Sequence, residues 1–174
     1  GAQRLDAKTK IKSVAEVLHN HYYPSMTYDG STKRIIGSYG KKTNIRPVDD
    51  IDLLFKMPEE EFAHYDGLAG NKQSQLLQDI RAVLKDKFTT TEKIRAFGKV
   101  IVIGFSDGTH NVELLPAWKQ VDSKFKIPDS GRQRSRLWYI IVITTRGNTL
   151  THLTTQEVSI MPIPYSTVQI TVCE

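Results

Sequence analysis

The sequence predicts an α+β fold, a mixed β-sheet flanked by helices, on three observations. Two stretches of helical length carry apolar residues at spacings of three and four. Between and after them lie short β-branched runs bounded by Gly, Pro and Asp. The order is helix, strand, strand, helix and then a hairpin, which suits a sheet packed against helices in one domain. At 174 residues the chain has room for one ordinary domain and little more.

Residues 6–22 form the first expected helix. Ile11, Val14, Leu18 and Tyr22 fall on one face, and Lys8, Lys10, Lys12 and Glu16 on the other. Asp6 is its expected N-cap, and Pro24 ends it. A polar connection through Gly30 leads to a short strand at Lys33–Ile36. Two glycines in Gly37-Ser38-Tyr39-Gly40 break it, and Lys41 to Pro47 make an irregular loop. An apolar strand follows from Ile51 to Lys56, closed by Pro58. Residues 58–70 read as a loop or short helix. Residues 72–88 form the second long helix, with Leu76, Leu77, Ile80, Val83, Leu84 and Phe88 as its stripe. Strands are expected at Ile94–Phe97, Val100–Phe105 and His110–Leu115, with an Asp107-Gly108 hairpin signal before the last and Pro116 after it.

Composition narrows the function classes. An apolar share of 39% and a charged share of 25% are those of a globular protein. No window approaches the roughly 20 apolar residues of a membrane helix. The N-terminal Gly1-Ala2-Gln3-Arg4 lacks a signal peptide's apolar core. The single Cys173 has no intrachain partner, so a reducing cytoplasm is the expected location. A net charge of +5 and a pI near 9.3 lean toward anionic partners, nucleotides and nucleic acid included. Nothing specific indicates a nucleic-acid site. Cys/His clusters, a P-loop lysine motif and a Gly-x-Ser-x-Gly elbow are all absent.

The chemistry concentrates in Asp50-Ile51-Asp52. Residues i and i+2 of a strand share a face, so both carboxylates converge while Ile51 points away. Two like charges held close repel, and a divalent cation is the usual remedy: hard Mg²⁺ takes carboxylate oxygens and leaves room for phosphate. A bare Asp-x-Asp is most often a turn or a solvated edge. This one begins an apolar strand, and a Gly-Ser turn precedes it by 12 residues. Gly37 lets the backbone approach a phosphate, and Ser38 adds a hydroxyl and an N–H to grip a triphosphate. Lys41 and Lys42 are candidates to steer it, although charged loops are usually just solvated. Glu113, an acid inside an apolar strand, is the candidate third carboxylate; on an alternating strand it also fits an outward-facing residue. His19 and His21 are expected to decorate the end of the first helix, and Trp118 and Trp138 to pack.

The stretch Ile36-Gly37-Ser38-Tyr39-Gly40 through Asp50-Ile51-Asp52-Leu53-Leu54 resembles the signature of the nucleotidyltransferase superfamily. More narrowly it is similar to the bacterial cGAS/DncV-like nucleotidyltransferases (CD-NTases) of anti-phage signalling. Val102 to Ala117 and Phe125 to Asp129 fit the same pattern, and the likeness covers roughly residues 8–131. The resemblance implies a polymerase-β-like catalytic core, Mg²⁺ (or Mn²⁺), nucleoside triphosphate substrates and a cyclic di- or oligonucleotide product. It further implies that Gly37 and Ser38 hold the donor triphosphate and that Asp50, Asp52 and Glu113 hold metal. The third acid of the family is commonly aspartate, one methylene shorter than Glu113.

Residues 1–131 are thus expected to be the nucleotidyltransferase core. Residues 132–174 match no pattern of the family, which usually continues into a long helical portion. This last segment has four basic and two acidic residues, and Trp138–Thr145 and Val158–Val172 read as strands or an irregular tail. A truncation, with a reading frame altered after about Gly131, is one hypothesis for it. The apolar surface left by a missing helical half is one that a homodimer would cover. Two rival functions stand beside messenger synthesis: nucleotide transfer to a small molecule, protein or RNA end, and a catalytically silent nucleotide-binding module.

Overall fold

The computed structural model describes residues 2–36, 50–91, 93–107, 110–130, 138–145 and 167–172. Among these described residues, eight strands and three helices follow in the order α1 (Ala2–Tyr22), β1 (Lys33–Ile36), β2 (Asp50–Lys56), α2 (Glu59–Asp66), α3 (Lys72–Lys87), β3 (Lys93–Phe97), β4 (Val100–Gly104), β5 (Asn111–Lys119), β6 (Lys124–Ile127), β7 (Tyr139–Thr145) and β8 (Thr167–Val172). They build one mixed sheet in the order β1-β2-β5-β6-β7-β8, with the β3–β4 hairpin joined to β5. The α+β expectation holds, and among the described residues the helices pack on one face of the sheet.

Period-two alternation in β2 explains that arrangement. Ile51, Leu53 and Phe55 are fully buried with Ala7, Ile11, Val14 and Leu18 of α1 and Leu76, Leu77, Ile80 and Leu84 of α3. Each of these Val, Leu, Ile and Phe side chains contributes about 1.5–3 kcal/mol by leaving water. The opposite face holds a second cluster made of strand residues, among them Ile36, Leu54, Leu115, Ala117 and Phe125. Phe62, Trp118 and Trp138 meet in edge-on and tilted contacts, with centroids 5.2–5.5 Å apart. Trp118 and Trp138 are each 2% exposed and donate to Pro58 O and Asp66 Oδ1, respectively, so they pack as expected.

The structure corrects the sequence at three places. Asp6 is not an N-cap: α1 already begins at Ala2, because Ala2, Gln3, Arg4 and Leu5 are all good helix formers. Asp6 lies one turn before Lys10 and pairs with it at 2.9 Å. His19 does not decorate a helix end; it is fully buried, with Nδ1 3.0 Å from Thr32 Oγ1 and Nε2 3.0 Å from Met26 O. It clamps the connection between α1 and β1.

The third correction is that β5 runs through Pro116 to Lys119. The Met57 N–H donates to Ala117 O at 2.8 Å, so Ala117 turns its backbone groups toward β2 and Pro116 turns its own the other way. On that side β4 pairing ends at Leu114 and β6 pairing starts at Trp118. The proline's missing donor falls in the gap.

Leu53→Ala is expected to cost about 2–5 kcal/mol of stability, since it empties a fully buried site between β2 and the helices. Urea unfolding measures it.

Candidate active site

β2 and β5 run parallel with Asp50 opposite Asn111 and Asp52 opposite Glu113. Paired residues of adjacent strands share a face. Asp50, Asp52, Asn111 and Glu113 therefore stand together on the face away from the helices, while Ile51, Val112, Leu53 and Leu114 occupy the other. β1 flanks the group with Ile36 opposite Asp52. Asp50 is exposed; Asp52 and Glu113 are partly buried, as the strand passes from solvent into the apolar cluster of Ile36, Leu54 and Leu115.

The electrostatics follow from that gradient. Burial, the neighbouring Glu113 charge and hydrogen bond, and then Asp50 push the Asp52 carboxyl from 3.8 up to about 6. Glu113 is raised by burial and by Asp50, while its hydrogen bond with Asp52 acts the other way. Below about pH 6 Asp52 is therefore the member of the pair that takes up a proton, and its hydrogen bond to Glu113 then relieves the repulsion. The Asn111 side-chain amide donates to Asp50 Oδ1 at 3.0 Å. Among the described residues no three His, Cys, Asp or Glu side chains are gathered closely enough to hold an ion as they stand.

The donor set nonetheless suits a hard divalent cation. All the donors are carboxylate oxygens, and the repulsion that Glu113 and Asp50 exert on Asp52 marks where positive charge is needed. Gly37, Ser38, Lys41 and Lys42 lie outside the described residues. Asn111 is a site residue that no sequence motif marks. Its signal is the strand period, which puts it on the face of Glu113, two residues on. His64 and His110 take no part in a metal-ligand group among the described residues.

A family model described as the Second Messenger Oligonucleotide or Dinucleotide Synthetase domain matches residues 2–140. Among solved structures, the chain is similar to the CdnC:HORMA-deltaN complex of E. coli MS115-1, with 15% identity and a TM-score of 0.51 over 73% of this chain and 39% of that one. It is also similar to the CD-NTase CdnG of Bradyrhizobium diazoefficiens in complex with GTP, with 18% identity and a TM-score of 0.49 over 74% and 37%. A third is the CdnE cyclic dinucleotide synthase of Elizabethkingia meningoseptica with GTP and Apcpp, with 19% identity and a TM-score of 0.46 over 68% and 38%. At such identities the likeness is one of fold. The chain spans less than two fifths of the length of each of these three. Comparison with curated proteins finds no match.

Because the folded pKa of Asp52 is raised, the folded state holds its proton more tightly than the unfolded chain does. Stability from this group is full at low pH and is lost as pH rises from about 4 through about 6. Asp52→Asn removes that loss. In chelator-treated buffer the variant is expected to be about 1–2 kcal/mol more stable than wild type near pH 8, after a discount for solvent screening, and about equal near pH 4. Urea unfolding at both pH values checks it; no gain near pH 8 would count against the shared proton.

Proposed function

The chain belongs to the Second Messenger Oligonucleotide or Dinucleotide Synthetase family, and from that premise we propose that it is the catalytic core of an Mg²⁺-dependent (or Mn²⁺-dependent) nucleotidyltransferase that uses nucleoside triphosphates to make a cyclic di- or oligonucleotide messenger. The observation that carries this reading is the β2–β5 register, which sets Asp50, Asp52 and Glu113 on one face of neighbouring strands. In this proposal the three acids hold the metal. Gly37 and Ser38 grip the donor triphosphate, and Lys41 and Lys42 steer it in.

When bound, the divalent ion supplies charge neutralisation for the triphosphate and acidifies an attacking hydroxyl. The chain's own part is to place and to move protons. With the ion held, Asp52 and Glu113 would be relieved of their mutual repulsion and stand as charged carboxylates, able to accept a proton. We assign to the acidic pair the proton of a ribose hydroxyl as its oxygen bonds to the α-phosphorus and pyrophosphate leaves in line. Glu113 reaches one methylene further than aspartate, and its parallel pairing opposite Asp52 is what lets the longer arm reach that carboxylate.

Residues 1–131 are the proposed catalytic unit, with β7 added to its sheet. The proposal extends to signalling in anti-phage defence and to a cytoplasmic location. It also extends to a homodimer, which sedimentation would reveal. Because the chain spans less than two fifths of the three structures compared, the nucleotide pocket is proposed to need more walls than the residues described here.

Incubation with labelled nucleoside triphosphates and Mg²⁺ or Mn²⁺ tests the reading. A product that resists phosphatase supports cyclic synthesis. A labelled acceptor would instead favour transfer to another molecule, and binding without pyrophosphate release would favour a silent module. Asp50→Ala with Asp52→Ala is expected to lower pyrophosphate release by about 1,000-fold or more, the equivalent of about 4 kcal/mol of lost charge stabilisation. Undiminished release would refute the site.

A further inference from the structure

We propose that Asn111 is a positioning residue for the metal-holding carboxylates, its amide fixing Asp50, and that position 104 is glycine to leave room for that amide. The inference rests on the reading of Asp50, Asp52 and Glu113 as cation ligands.

Three strands carry the argument. Asp50 of β2 pairs with Asn111 of β5, Asn111 pairs with Gly104 of β4, and Gly104 pairs with Lys93 of β3. The row crosses the sheet at the end where the acids stand. Asn111 Nδ2 donates to Asp50 Oδ1 at 3.0 Å. A carboxylate only accepts, so the amide must turn its NH₂ toward Asp50 and its oxygen the other way. The oxygen then lies over Gly104.

Gly104 has no need of glycine for its backbone, since its φ is not positive. A Cβ built there would sit 3.2 Å from Asn111 Oδ1 and 3.1 Å from Lys93 Cβ. Lys93 Cβ is fixed to its strand and cannot retreat easily. The Asn111 amide would be the group to give, by a few tenths of an ångström, which shifts the donor that holds Asp50.

The chemistry of the donor matters as much as its place. Asp50 is exposed, at the first position of β2, and unrestrained it would sample several rotamers. One amide bond limits that freedom and occupies one oxygen, leaving the second for a cation. A lysine or arginine in the same position would also hold Asp50 but would compete with the ion for its charge. Asparagine orients without neutralising, as partners of metal-binding carboxylates commonly do.

The test is Mn²⁺ binding by the full chain, followed by the loss of the free-ion paramagnetic resonance signal, with thermal unfolding of the metal-free protein in parallel. Asn111→Leu keeps similar bulk and removes the donor. It is expected to weaken Mn²⁺ binding about tenfold or more with little change in the metal-free unfolding midpoint. Gly104→Ala keeps Asn111 itself and is expected to weaken binding in the same direction by a smaller factor. A merely structural role would lower the midpoint and leave the Mn²⁺ constant alone. Equal or tighter binding by Asn111→Leu overturns the proposal. Asp52→Asn separates this failure from failure of the underlying reading: if it binds Mn²⁺ like wild type, or if wild type binds none, the ligand assignment falls and the role of Asn111 falls with it.

Discussion

Two carboxylates that share a proton would part in solution, because each is better solvated alone. Here the register of β2 against β5 denies them that freedom, with Asp52 facing Glu113 across one parallel step. The register is held in turn by what lies on the reverse of the same strands. Ile51, Leu53, Val112 and Leu114 are fully buried against the helices, and a slip of one residue would send them to the acidic face. Hydrophobic burial on one side thus enforces electrostatic strain on the other. The raised Asp52 carboxyl is the visible consequence.

The rest of the molecule maintains that sheet. The long α1 and α3 cover its helical face, and the Phe62–Trp118–Trp138 group ties α2 and the approach to β7 into the same core. Polar clamps fix the connections that lead to the site. His19 holds the segment before β1, whose Ile36 lies opposite Asp52. Lys10 Nζ reaches Asp107 Oδ1 at 2.7 Å and stands over the Phe105 ring, so α1 grips the loop that delivers Asn111 and Glu113. Both clamps involve polar groups of a kind that ordinarily lies on the surface. Their burial is tolerable because each is paired or hydrogen-bonded.

Much of this is legible in the sequence. The strand period alone puts Asp50 and Asp52 on one side and Ile51 on the other, since alternation is a local property of extended backbone. Apolar spacing marks both long helices for the same reason. Local reading fails where two local rules compete. Asp6 has the chemistry of a cap, but four helix-forming residues before it carry the helix past it. Pro116 has the chemistry of a strand end, yet β5 continues because its missing donor meets no partner. His19 reads as solvent-facing because nothing in its neighbours along the chain says that Thr32 and Met26 fold over it.

By itself, then, the sequence determined the types of element, the alternation of the Asp-x-Asp strand, and enough of a family pattern for a second-messenger synthetase domain to match residues 2–140. These are encoded within a few residues of one another and survive without knowledge of long-range contacts. Only the tertiary structure decided which strand lies beside β2, in which direction and at which register. That choice put Glu113 opposite Asp52, made Asn111 a partner of Asp50, and set Gly104 beside Asn111. Residues 61 positions apart in the chain meet because a buried apolar face aligns them, and no local pattern records that alignment.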